Sequence, residues 1–244
     1  MLASIPAFFG LKTPGDIAWA HGVNSRRLLD DYAGAPDTHM IEGDISWLPE
    51  AGGVMMAHPP ETRSDLAFES WIEGVAAARK GAKLDFKHPA AIAPCLAKLE
   101  AMRGSGRLDI PILLNADVLQ GPGGGAPSFE AEAFVERCST FDGAGLSLGW
   151  TTQYVKGGAF AEASVVAMLR LASPVAERAT LCLRACYLSA SAASLARLLA
   201  AEGSWLTIWN GRHDPVVTPS EARRLTDPAR SFYDLIDAQG LPIR

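Results

Sequence analysis

Cysteine is scarce in this chain, and what there is lacks a pattern. Cys95, Cys138, Cys182 and Cys186 are the only four in 244 residues, without the paired spacing of a zinc site. Along one extended strand Cys182 and Cys186 would stand too far apart to bridge each other, and Cys95 and Cys138 fall in segments of helical period. Reduced, packed thiols and a cytoplasmic location are the expectation. Basic runs are also missing, and the net charge is −5. General duplex DNA binding is excluded on that ground, because phosphate neutralisation supplies most of its affinity; a small phosphorylated substrate or an RNA end stays open. No apolar stretch is long enough to span a bilayer. The apolar start, residues 1–10, has no basic residue and is interrupted by Pro6, so it is not read as a signal peptide. The glycine run at 121–125 lacks the Lys-Ser/Thr of a phosphate loop and continues into Ala126 and Pro127, which leaves a mobile loop as its reading.

What is present is alternation. Apolar runs of strand length at 17–21, 39–46, 82–87, 110–117, 143–150, 179–187, 204–210 and 230–236 take turns with segments of helical period. Those helical segments are 24–33, 65–80, 89–102, 129–141, 158–172, 189–201 and 219–225. Ser64-Asp65 is placed to open one helix, and Gly81 and Gly203 to close two others. Eight strands separated by helices argue for a parallel sheet closed into a (β/α)8 TIM barrel. Residues 54–58 form a short excursion after the second strand. No internal repeat and no linker-like stretch divides the sequence, so the expectation is one barrel domain over 1–244, with 1–16 as an N-terminal extension.

Chemistry in such barrels sits at the C-terminal ends of the strands. His21, Glu42, Asp44, Asp85, Lys87, Asn115, Asp117, Trp150 and Trp209 all fall there. Glu42 and Asp44, two apart on a strand, face one space, while Ile41 and Ile45 face the other way as packing residues. With Asp85 they make three carboxylates converging on one rim, which would repel one another without a cation. Hard oxygen donors select Mg²⁺ or Ca²⁺, with Mn²⁺ as an alternative. His21 and His58 each end an apolar run near those carboxylates and are candidates for acid/base work; His39, His88 and His213 are read as structural. Lys83, Asp85 and Lys87 share a strand face. Lys87 is placed to clamp phosphate, and a Schiff base on Lys83 or Lys87 is the minority chemistry because Asp85 should keep both charged. Asn115 and Asp117 are placed to bind substrate or orient a ligand, and Trp150 and Trp209 to wall an apolar pocket or fill the core. Arg184 needs an anionic partner, either a protein carboxylate or a substrate phosphate.

The ordered set Trp19-Ala-His-Gly-Val-Asn24, Ile41-Glu-Gly-Asp44, Ala57-His-Pro-Pro60, Lys83-Leu-Asp-Phe-Lys87, Leu114-Asn-Ala-Asp117, Leu146-Ser-Leu-Gly-Trp150 and Leu206-Thr-Ile-Trp209 resembles the menorin family over nearly the whole chain. That family looks like a branch of the phospholipase C-like phosphodiesterase barrels, with glycerophosphodiester phosphodiesterases and sphingomyelinase D. The resemblance implies His21 and His58 as catalytic groups and Glu42, Asp44 and Asp85 as ligands of one divalent cation. Asn24, Lys87, Asn115, Asp117, Trp150, Arg184 and Trp209 would meet the substrate. Gly22 and Pro59 stand where glycerophosphodiesterases carry Arg and Asp, which counts against glycerophosphodiesters. The implied activity is phosphodiester cleavage, with one of His21 and His58 directing attack and the other protonating the leaving oxygen, an order the sequence does not fix, and with a cyclic phosphate as one product. A small phosphodiester or phospholipid headgroup is the implied substrate. The alternatives are a non-catalytic barrel that binds a phosphorylated ligand or a protein partner, and the lysine aldolase.

Overall fold

The computed structural model describes residues 1–201 and 203–243. Eight parallel strands form a nearly closed barrel: β1 (Trp19–Ala20), β2 (Met40–Leu48), β4 (Gly81–Phe86), β5 (Ile112–Gln120), β6 (Gly145–Thr151), β7 (Ala179–Arg184), β8 (Trp205–Trp209) and β9 (Ser231–Asp234), hydrogen-bonded in that order. The excursion expected after the second strand is β3 (Gly53–Met56), which folds back antiparallel on β2 with Ile45 opposite Met56. Helices follow the strands: α2 (Arg26–Ala33), α3 (Phe68–Ala77), α4 (Ile92–Gly104), α5 (Ala131–Ser139), α6 (Glu162–Ala172), α7 (Ala192–Ala200) and α8 (Pro219–Leu225). Among the described residues the α-helix outside the sequence reading is α1 (Ser4–Phe8). Its five residues are too few for a period to show.

Strand alternation sorts the residues into two layers. Ile41, Ile45, Ala82, Leu84, Leu114, Ala116, Leu146, Leu148, Leu181 and Ile208 face the helices and are at most 2 % exposed. The opposite parity faces the axis and changes character along it. At the bottom Trp19, Met40, Leu113 and Phe232 pack with Leu2 and Ile5 from the N-terminus, so the start of the chain closes the barrel floor by burying apolar surface. Above that floor the interior becomes polar, with Glu42, Lys83, Asn115, Ser147, Thr180, Thr207 and Asp234 all buried. TIM-barrel interiors are usually filled by branched apolar side chains, so this middle layer needs partners for every charge it holds.

Two local expectations are corrected. The segment Ser64-Asp65 does not open α3. Asp65 accepts a hydrogen bond from the Arg26 amide at the start of α2, and α3 begins only at Phe68. Gly81 is the first residue of β4, and the left-handed turn that ends α3 falls on Arg79, φ 54°. Gly81 has a different reason to be glycine: a Cβ there would lie 2.0 Å from Met40 Sδ and 3.4 Å from Phe9. Because Met40 is fully buried, Gly81→Ala should cost about 1–3 kcal/mol by overpacking. Urea unfolding against the parent protein checks this, and an unchanged midpoint would refute it.

Candidate functional site

Register places the rim. Glu42 pairs with Lys83, Asp44 with Asp85, and Asp85 with Asn115 across three adjacent strands. One carboxylate oxygen from each of Glu42, Asp44 and Asp85 lies within 4.8 Å of the others. This largely buried triad can hold a metal ion.

Each carboxylate has one oxygen fixed by a neutral donor. The Gly22 amide donates to Glu42 Oε2 at 2.6 Å, Asn24 Nδ2 to Asp44 Oδ2 at 2.6 Å, and Asn115 Nδ2 to Asp85 Oδ1 at 2.7 Å. Asn24 is locked to Asp44 twice, since its Oδ1 also accepts from the Asp44 amide. Gly22 turns its amide toward Glu42 at φ 65°, a conformation that a side chain would strain. Of the second oxygens, Asp44 Oδ1 and Asp85 Oδ2 lie 2.9 and 2.7 Å from Lys87 Nζ. Glu42 Oε1 is buried with no hydrogen-bond partner among the described residues. A bare oxygen in such a place fits a metal ligand.

His21 lies at the end of β1, where the barrel seam brings β9 beside it. Its Nδ1 is 3.1 Å from Asp234 Oδ2 and 3.5 Å from Glu42 Oε2. Burial disfavours the imidazolium, but Asp234 and Glu42 outweigh it and push His21 up to about 10. Asp234 also takes Lys83 Nζ at 3.4 Å, with both side chains buried. Burial pushes Glu42 up to about 7 against the pull of His21. Asp44 moves the other way. Burial raises it, but Lys87, His58 and the Asn24 hydrogen bond bring it down to about 2. Burial and Asp85 push Asp117 up to about 7.

His58 arrives by another route. The β2–β3 hairpin turns the chain back, and the Ala57 amide bonds the Asp44 carbonyl at 2.9 Å. The exposed His58 therefore stands over the carboxylates, with Nδ1 2.6 Å from the Pro59 carbonyl. His21 and His58 line one cavity of about 160 Å³ together with Asp44, Asp85, Lys87 and Asp117. Asn115 and Trp209 also border it.

The match to known proteins spans the strands that carry these residues. The sequence matches the Menorin N-terminal domain over residues 15–240. The chain belongs to the menorin family. It is similar to human Protein FAM151B, with 33% identity over 236 residues, covering 92% of this chain and 84% of that one. No solved structure matches it.

In this menorin-family barrel the structure separates the remaining site residues. Trp150 is set apart from the cavity. It shares the outer face of β6 with Leu146 and Leu148, is 1 % exposed, and donates Nε1–H to Ser164 of α6. Arg184 has its anion within the protein, a two-point pair with the buried Asp214, and its guanidinium lies 5.2 Å from the Trp209 ring centre. Asn115 orients Asp85 and accepts from Ser147 Oγ at 2.6 Å and from Cys182 Sγ at 3.2 Å. Cys186 lies in a turn beyond β7, off the strand expected to carry it, and all four cysteines are free. The glycine run is tied to the rim by a bridge from Gly123 to Thr152. His39 Nδ1 accepts from the Ala18 amide and His88 Nδ1 from the Ala90 amide, both structural roles. No helix of the described residues is long and apolar enough to cross a membrane.

Three participants escaped the sequence reading. Asp234 ends the last strand, and the strand-end rule used for the others would have found it. Lys83 was weighed only as a Schiff-base former, but its ammonium is held by Asp234, and the surrounding carboxylates raise its pKa in spite of burial. Asp214 lies in the β8–α8 loop, where no period marks it.

Proposed function

We propose that the chain is a metal-dependent phosphodiesterase of the phospholipase C-like barrel type. One observation carries this reading: Asp44 and Asp85 of the triad, two histidines and two lysines line one small cavity at the C-terminal rim, with Glu42 within ligand distance of the two aspartates. Around the cavity the carboxyls of Glu42, Asp44, Asp85, Asp117 and Asp234 outnumber the ammonium groups of Lys83 and Lys87 and the imidazole of His21, a crowding that a divalent cation would offset. Glu42, Asp44 and Asp85 hold that cation, Mg²⁺ or Ca²⁺, and when bound it neutralises charge on a non-bridging phosphate oxygen.

The hydrogen bonds divide the histidine roles. A carbonyl only accepts, so His58 Nδ1 donates to Pro59, which leaves Nε2 as the nitrogen that can take a proton. His58 is the base that takes the proton from the attacking hydroxyl. His21, held between two carboxylates, is the acid that passes a proton to the leaving oxygen. Spacing alone leaves this order open. Where the attacking hydroxyl belongs to the substrate itself, the product is a cyclic phosphate; where it is water, a phosphomonoester. The cavity takes the phosphodiester and its nearest substituent, as in a phospholipid headgroup or an RNA end, and the rest of the substrate lies outside the mouth.

The test is a panel of glycerophosphodiesters, lysophospholipids, sphingomyelin, short RNA and 2′,3′-cyclic nucleotides, run with Mg²⁺, Ca²⁺, Mn²⁺ or EDTA. Glu42→Gln is expected to abolish stoichiometric metal binding in calorimetry and turnover with it. Turnover that persists in EDTA refutes the metal role. Metal binding with no turnover on any member leaves a barrel that binds a phosphorylated ligand.

A further inference from the structure

We infer that Lys87 is the resident counter-ion of the triad and that a divalent cation displaces it, which couples metal binding to anion binding. The inference rests on the metal-binding part of the proposed function and goes beyond it.

Asp44 Oδ2 and Asp85 Oδ1 are taken by the amides of Asn24 and Asn115, whose own positions are fixed by Asp44 N and by Ser147. Glu42 Oε2 is taken by Gly22 N. The three oxygens without such a neutral donor are Glu42 Oε1, Asp44 Oδ1 and Asp85 Oδ2. The first is bare. The other two are the oxygens that Lys87 Nζ holds at 2.9 and 2.7 Å. An ammonium and a metal ion on those same two oxygens would repel each other across one site. Lys87 and the cation are therefore alternative occupants.

The freed lysine has somewhere to go. Lys87 follows the last residue of β4, its side chain is only 18% exposed, and it lines the same cavity as both histidines. A flexible four-carbon stem lets the ammonium leave the carboxylates without leaving the cavity. There it meets whatever anion enters. Metal and anion then favour the same state, with Lys87 off the triad, and each must raise the affinity of the other by the same factor. Without metal, the lysine neutralises Asp44 and Asp85 and keeps the empty rim from repelling itself apart.

The experiment is calorimetric titration of Mn²⁺ into the full chain and into Lys87→Met, without and with sulfate as a tetrahedral dianion, at constant ionic strength. Circular dichroism confirms that the variant is folded. Lys87→Met is expected to bind Mn²⁺ about tenfold more tightly than the parent, having lost the competitor, and to show no response to sulfate. The parent is expected to bind Mn²⁺ more tightly when sulfate is present. The variant should also gain more thermal stability from saturating Mn²⁺, because its metal-free rim has no counter-ion. Equal or weaker metal binding by folded Lys87→Met overturns the inference, as does a sulfate effect that survives in the variant. Failure of the parent itself to bind Mn²⁺ strikes the metal reading first, a separate outcome.

Discussion

His21→Asn should lower turnover of any phosphodiester the protein cleaves by about 10²–10⁴-fold while leaving metal affinity nearly unchanged. The reason lies in what touches what. Glu42 keeps its bond from the Gly22 amide and its bare oxygen whatever stands at position 21, so the ligand set survives. The proton donor does not. His21 is pushed up to about 10 because Asp234 and Glu42 overcome the effect of burial. It therefore stays protonated through neutral pH and loses its proton as pH rises through the folded value. A bound cation weakens the pull of Glu42 and leaves that of Asp234, so in the loaded protein the alkaline limb of the rate falls below that value but still above that of a free histidine. His58→Asn should lower turnover by a comparable factor. Initial rates from pH 5 to 10 in the parent and both variants provide the check. A flat parent profile in a chemistry-limited assay sinks the two-histidine reading, and an alkaline limb that remains in His21→Asn moves the acid elsewhere.

The strands were legible because burial on both faces leaves a long apolar signature, and Glu42, Asp44 and Asp85 were legible because a period of two puts them on one side of it. The same period places Trp150 with Leu146 and Leu148 on the outer face. Its position at the strand end drew attention from that parity. Partners supplied by closure left no mark in the sequence. His21 and Asp234 stand 213 residues apart and meet only where the first strand and the last come together. Arg184 and Asp214 are joined through a loop without period, so the need for an anion could be stated but its source could not. The histidine roles also depended on coordinates, since the Pro59 carbonyl beside His58 is invisible to any spacing argument. Composition gave only exclusions, and the menorin motifs gave the site before they gave any substrate.

Asp234→Asn is expected to be the most destabilising single change in the site, at about 3–5 kcal/mol, because it leaves a buried ammonium without its anion. Lys83 is 4% exposed and Asp234 is fully buried, so water replaces little of what is lost. The pH dependence gives this prediction its sign. Burial alone would raise the Asp234 carboxyl, but His21 and Lys83 hold it below its ordinary value, so its contribution is complete above the unfolded carboxylate pKa and fades as pH falls through the folded one. The gap between parent and variant in urea unfolding should therefore be widest near pH 7 and narrow toward pH 3. A constant gap would assign the loss to packing instead of charge. Replacing the pair together, as Lys83→Met with Asp234→Leu, removes the orphan as well as the bond, and such apolar exchanges are commonly neutral or stabilising. The double variant should regain most of the stability but not the alkaline limb at its original position, because His21 would then have lost the carboxylate that keeps it protonated. Stability and rate would thus separate in one protein, as expected if Asp234 serves the fold through Lys83 and the chemistry through His21.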